Sequence, residues 1–240
     1  VSAVAADYDA VVAKTLPSLN LFLLESSLLD FSDQLADDTR IIAVYGDTVI
    51  EGQPRYGGAF GSELDAKPWG SASDPATAYK EQWAVSNVRL AQAHTLSQGE
   101  GIIVAVLDTG IDFTHAQFQG KLVAGYDFVD ADSVPAEERN GLDQDQDGAV
   151  DEGAGHGTHV AGIVALTAPQ AKIMPIRIFD DEGRGLYFDL IAGIMYAVDH
   201  GADVINLSGS GPEDESFLAD AVAYAEAHDV VIVAAGAVNS

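Results

Sequence analysis

From Gly101 to Leu107 the chain reads Gly-Ile-Ile-Val-Ala-Val-Leu, with no polar side chain until Asp108. An apolar run of this kind, bounded by glycine and rich in β-branched residues, is the pattern of a strand buried on both faces, because alternation disappears only when neither face meets water. The residues that follow keep switching between strand and helix patterns. A helix is expected through HVAGIVALT (159–167), then a strand through KIMPIRIF (172–179). A helix from Leu186 to His200 comes next, its apolar Leu186, Leu190, Ile191, Ile194 and Val198 at helical spacing. Asp203–Ser208 reads as a strand, Ser216–His228 as a helix and Val230–Gly236 as a further strand. This alternation is that of βαβ units, so the expected fold class is α/β with a parallel sheet. In such sheets reacting groups gather at the carboxyl ends of the strands, where loops converge and helix N-termini point their amides outward. Asp108, Ser208 and Gly236 all fall at such ends.

The 240 residues are 48% hydrophobic, enough for one large domain, or a medium and a small one. No stretch reaches the roughly 18 consecutive apolar residues that a membrane span needs, so no membrane partner is expected. The first residue is Val rather than Met, which suggests that an earlier part of the gene product, and any signal peptide with it, is missing. Cysteine is absent, which rules out disulfides and thiolate metal sites. With 38 acidic against 11 basic side chains the net charge is -27, a field that repels nucleic acid. A solvated acidic surface accounts for that excess, and a salt-rich habitat or retained divalent cations are the sharper alternatives. Composition divides the chain in three. Residues 1–52 suggest a small α+β unit, with a strand at Leu21–Leu24, a helix at Ser27–Leu35 and a strand at Ile41–Tyr45. Residues 53–81, rich in Gly, Pro, Ser and Ala, read as a linker, and residues 82–240 form the α/β part.

Two segments carry chemistry. VAVLDTGID (104–112) puts Asp108 at the end of the buried strand, and GHGTHVAG (155–162) puts His156 between glycines just before an apolar helix. Taken alone, such an Asp is usually a turn or cap residue and such a His is usually structural. Zinc binding by His156 and His159 is the competing reading, but H-x-x-H lacks the spacing and the accompanying Glu of a two-His helix face. In this order and spacing, and with GADVINLS and AAG further on, the segments resemble the Asp and His motifs of the subtilisin-like serine proteases over Gln82–Gly236. The resemblance implies a three-layer α/β domain, of which this chain would hold the N-terminal part. It also implies a secreted serine endopeptidase acting on protein or peptide substrates. Asp108 would orient and His156 would act as the base that activates a serine. Ser208, Gly209, Ser210 and Gly211 match a family strand that pairs with extended substrate, and Gly185, beside Gly183 and Leu186, occupies the place of the opposite strand. A plain turn before a helix explains those glycines equally well.

The sequence departs from the family at two points. The Asn that donates to the oxyanion is replaced by Ala237, with Asn239 two residues late, and no Gly-Thr-Ser-x-Ala motif occurs within the 240 residues. A chain truncated before its serine, inactive by itself, is the reading carried forward; a catalytically dead peptide-binding or calcium-binding scaffold is the alternative. The loop LDQDQDGAVDEG spaces Asp143, Asp145 and Asp147 two apart before Gly148, as in the first half of an EF-hand-like loop, and hard oxygens so arranged suit Ca²⁺. The carbonyl of Ala149 and the side chain of Asp151 or Glu152 would complete the shell, although Ala154 stands where such a loop has its bidentate Glu. A solvated acidic loop is the other reading. Residues 1–52 resemble the family's propeptide, which implies a precursor whose own N-terminal segment is a partner of the catalytic domain.

Overall fold

The computed structural model describes residues 1–17, 20–28, 31–41, 44, 47, 49–52, 83–210 and 216–235. The chain falls into two compact units, Val1–Thr48 and Val49–Ser240. In the first, helix α1 (Ser2–Asp7) leads into strand β1 (Ala10–Leu16), which pairs antiparallel with β2 (Leu21–Ser26), and helix α2 (Phe31–Ala36) follows. Exposure alternates along β1 residue by residue, as a strand covered on one face requires. Asn20 takes the turn with φ 55°, a left-handed conformation that its short polar side chain tolerates. The helix expected at Ser27–Leu35 begins only at Phe31; just before it, Ser26 Oγ accepts from the Leu28 amide, a local bond that competes with helix. Of the strand expected at Ile41–Tyr45, only Ile41 and Val44 lie within the described residues, and neither belongs to a strand.

The second unit contains strand β3 (Val49–Gly52) and, after the expected linker, all of which lies outside the described residues, two short helices, α3 (Trp83–Asn87) and α4 (Leu90–Ala93). The α/β alternation then runs β4 (Ile103–Asp108), β5 (Tyr126–Asp127), α5 (His156–Thr167), β6 (Lys172–Arg177), β7 (Arg184–Leu186), α6 (Tyr187–Asp199), β8 (Val204–Leu207), β9 (Gly209–Ser210), α7 (Ser216–Ala227) and β10 (Val231–Ala234). Five strands form a parallel sheet in the order β10-β8-β4-β6-β5, so the apolar run is its central strand, as the sequence requires.

Helices cover both faces of this sheet. Val106 and Ile173 cluster with Ala161 and Ala165 of α5, whereas Gly193 of α6 lies against the side chains of Leu107 and Ile178. Successive strand residues point to opposite faces, so α5 and α6 lie on opposite sides, and α7 packs on α6. The result is a three-layer α/β sandwich. Nearly all of α6 is buried, from Tyr187 through Ile191 (0% exposed) to Val198, which marks a helix enclosed on every side rather than an amphipathic surface helix.

Candidate active site and its acidic flank

Asp108 is the last residue of β4 and is fully buried, while His156 is the first residue of α5. What brings them together is the absence of side chains where the two elements meet. A Cβ on Gly157 would lie 2.2 Å from the Gly110 carbonyl oxygen, and one on Gly110, where φ is +97°, would lie 2.6 Å from the Ala136 carbonyl oxygen. Only glycine permits that approach. Gly155, with φ 95°, turns the chain into the helix, so α5 begins three residues earlier than the apolar pattern suggests. The Gly157 amide donates to Thr109 Oγ1 (3.0 Å), the Asp112 amide donates to Thr158 Oγ1 (2.8 Å), and Thr158 Oγ1 donates to Glu137.

Held in this way, His156 Nδ1 lies 2.7 Å from Asp108 Oδ1, and the same oxygen accepts from the Thr109 amide at 2.8 Å. Burial is the largest influence on His156 and pushes its pKa down; the hydrogen bond and charge of Asp108 outweigh it and leave the pKa above the ordinary 6.5. His159, one turn on, moves the other way, lowered by burial and then by the neighbouring His156. Among the described residues no group of side chains at metal-ligand separation includes either histidine, so the zinc reading has no structural support.

The stretches matched to substrate binding also converge. β7 and β9 are the outer strands of a three-stranded antiparallel sheet, and β3 is its middle strand. Ile50 pairs with Gly185, Glu51 with Arg184 and with Ser210, and Gly52 with Gly209. A Cβ on Gly185 would lie 2.1 Å from the Ile178 carbonyl oxygen, so bare backbone is needed there. Ser208 Oγ accepts from Asn206 Nδ2 (3.0 Å). Gly211, Ala237 and Asn239 lie outside the described residues.

The acidic loop folds on itself. The Asp147 amide donates to Asp143 Oδ1 (3.1 Å) and Asp145 Oδ1 (3.2 Å), the Gly148 amide to Asp143 Oδ2 (3.0 Å) and the Ala149 amide to Asp147 Oδ1 (2.8 Å). Asp143, Asp145 and Asp147 each bring an oxygen within 4.8 Å of the others. Glu152 groups differently, with Asp145 and Glu182, and a third group joins Asp151, Asp181 and Glu182. Asp181 and Glu182, which sequence reasoning missed, are 5% and 4% exposed, and Asp181 Oδ2 and Glu182 Oε2 have no hydrogen-bond partner. Burial, followed by the adjoining Glu182, Asp147 and Asp145, pushes Glu152 up to about 7. An all-oxygen donor set with orphaned buried carboxylate oxygens fits a hard divalent cation. The only hint in the sequence is the acidic run Asp180-Asp181-Glu182 before Gly183.

A second buried charge is compensated from within. Arg177 ends β6 at 2% exposure, with Nη1 on Asp127 (2.9 Å) and Asp130 and Nη2 near Glu138 (3.6 Å).

Comparison with known proteins settles the family. The model of the Subtilase family (Peptidase_S8) matches residues 99–239, more than half of the chain. The chain belongs to the subtilase family. Thermitase of Thermoactinomyces vulgaris is 38% identical over 164 residues, covering 64% of this chain and 53% of the relative. Fervidolysin of Fervidobacterium pennivorans is 36% identical over 196 residues, covering 75% of this chain and 25% of the relative. The crystal structure of fervidolysin, described as a keratinolytic enzyme related to subtilisin, superposes with TM-score 0.67 at 28% identity, covering all of this chain and 38% of that one. The chain thus spans about half or less of the length of these subtilases. Its three-layer α/β fold is theirs, and among the described residues no helix is long and apolar enough to cross a membrane.

Proposed function

We propose that this subtilase chain is the N-terminal part of a serine endopeptidase precursor, residues 1–52 being the propeptide, 53–81 the linker and the rest the start of the catalytic domain. The observation that carries the proposal is the 2.7 Å bond between His156 Nδ1 and Asp108, made beside a pair of strands that hold an extended segment between them. With Nδ1–H donated to the buried carboxylate, the ring presents Nε2 as an acceptor. A serine hydroxyl set against Nε2 gives up its proton as it attacks the peptide carbonyl, and His156 returns that proton to the leaving amine. Asp108 fixes the tautomer and stabilises the imidazolium without taking the proton. Protein substrates add as a strand between Gly185 and the Ser208–Gly211 segment, main chain to main chain.

Val49–Gly52 occupies that position, so the precursor would inhibit itself through its own propeptide end. The Asp143, Asp145, Asp147, Ala149 and Glu152 loop is assigned to Ca²⁺, which supplies positive charge to cross-link an acidic surface. Extracellular sites of this kind work at 10⁻⁴–10⁻³ M, in keeping with a secreted enzyme. The Ala at position 237, where the family's oxyanion Asn is expected, favours a second reading, a peptide-binding scaffold without catalysis.

The test is casein hydrolysis by the full-length gene product together with its Asp108→Ala and His156→Ala variants. Activity that both substitutions abolish supports the proposal; a product that never cleaves, or variants that retain activity, overturns it. The 240 residues alone are expected to leave casein intact and to show no serine labelled by a phosphonate.

A further inference from the structure

The acidic loop lacks the Glu that would close an EF-hand-like shell, because Ala154 stands at that position, yet the folded chain brings a glutamate there from elsewhere. The turn between β6 and β7 lies directly on the loop. The Gly153 amide donates to the Asp181 carbonyl at 2.8 Å, and a Cβ on Gly153 would come within 2.2 Å of the Gly183 amide nitrogen. Glu182 Oε1 lies 3.5 and 3.4 Å from the main-chain amides of Gln144 and Asp151 and 2.7 Å from the Gln144 side-chain amide, whereas its Oε2 has no partner. Asp181 Oδ2 is equally orphaned, and among the described residues no Lys, Arg or His forms an ion pair with either carboxylate. Two buried carboxylates with no counter-charge among the described residues are strongly unfavourable. The oxygens of each group lie within 4.8 Å of one another, and two ligands at about 2.4 Å from a common Ca²⁺ are separated by no more than about that distance.

We infer that Glu182 is a Ca²⁺ ligand, completing one site with Asp145 and Glu152 and an adjoining one with Asp151 and Asp181, and that Ca²⁺ bound there clamps the loop before His156 to the turn that leads into the substrate-pairing strand β7. The inference rests on the calcium reading of the loop and adds to it ligands outside the loop together with a consequence for the cleft. Glu182 is two residues from Arg184, where β7 begins, and the Asp180 side chain accepts from the amides of both Glu182 (3.0 Å) and Arg184 (2.8 Å). The position of the ion is therefore passed to β7 through one tight turn. Substrate-strand order would then depend on calcium.

The experiment titrates CaCl₂ by calorimetry into the 240-residue chain and its Glu182→Gln, Asp181→Asn and Asp145→Asn variants. Amide hydrogen exchange is followed at Arg184–Leu186 with and without the ion. Because the substitutions are isosteric and relieve repulsion, the calcium-free variants should melt no lower than the parent, which verifies their folding. Expected results are Ca²⁺ binding weakened about tenfold or more in Glu182→Gln and Asp181→Asn, and exchange at Arg184–Leu186 slowed by Ca²⁺ only in the parent. Parental affinity in Glu182→Gln and Asp181→Asn, with loss only in Asp145→Asn, overturns the inference and leaves the loop site standing. Exchange at β7 that ignores bound Ca²⁺ overturns the clamp. No Ca²⁺ binding by the parent chain removes the calcium reading and this inference together.

Discussion

Replacing Gly157 by Ala tests whether the close approach of α5 to the end of β4 is what assembles the Asp108–His156 pair. Two effects oppose each other. Alanine favours helix over glycine by up to about 1 kcal/mol, and less so at the second residue of a helix, where few backbone bonds depend on it. Against this, the new methyl would lie 2.2 Å from the Gly110 carbonyl oxygen and 3.2 Å from Asp108 Cβ. An ordinary contact needs about 1 Å more than the first of these, and the obstacle is backbone, itself backed by Ala136. Overpacking of this kind costs about 1–3 kcal/mol, so the net change should be a destabilisation of about 1–2 kcal/mol. For a unit the size of Val49–Ser240, that lowers the melting temperature by about 2–8 °C. Relief of the clash moves the helix start away from the strand, lengthening the 2.7 Å bond between His156 and Asp108. For the peptidase activity proposed for the full-length protein, a misplacement of about 1 Å should lower kcat about 100-fold. Thermal melts followed by circular dichroism, with the His156 ring resonances monitored by NMR, provide the assay. A variant as stable as the parent or more so, with unchanged His156 resonances, would refute the argument that the missing side chains position this pair.

The pKa of His156 lies above 6.5 because Asp108 outweighs burial, so in Asp108→Asn, where burial acts without the opposing charge, it should fall; an NMR titration that shows no fall refutes the assignment. The sign for stability follows. A folded pKa above the unfolded value means that the contribution of His156 is fully present below about pH 6.5 and is lost as pH rises through the folded pKa, and in Asp108→Asn this slope should flatten or reverse, as read from denaturation midpoints between about pH 5 and 9. Changing Arg177 to Met leaves Asp127, 2% exposed, without its cation and should cost about 3–5 kcal/mol in urea unfolding; a cost below about 1 kcal/mol would show that water or other groups already compensate that carboxylate.

Much of the architecture was legible because it is written in short-range periodicity. The run ending at Asp108 could only be a doubly covered strand, and the helices at 187–199 and 216–227 began and ended within a residue of where their patterns placed them. The helix of His156 was harder to bound, since Gly155 and Gly157 look like breakers by propensity and are in fact demanded by packing against Gly110. Strand β3 left no such trace. Val49–Gly52 is too short to carry a period, and its structure comes from partners at Arg184–Leu186 and Gly209–Ser210, far along the chain.

The sequence by itself determined the α/β class, the family, and the pairing of an Asp and a His motif, because each depends on residue types at local spacings. It also marked Asp143, Asp145 and Asp147 as a cluster, since alternate residues on one tight loop converge whatever the rest of the chain does. Only the tertiary structure decided that Glu182 groups with Asp145 and Glu152 and also with Asp151 and Asp181, that Arg177 is the buried counter-ion of Asp127, and that β3 is the middle strand between β7 and β9. These are contacts between distant segments, fixed by the order of strands in the sheet and by glycines that let backbones touch, and no local pattern encodes them.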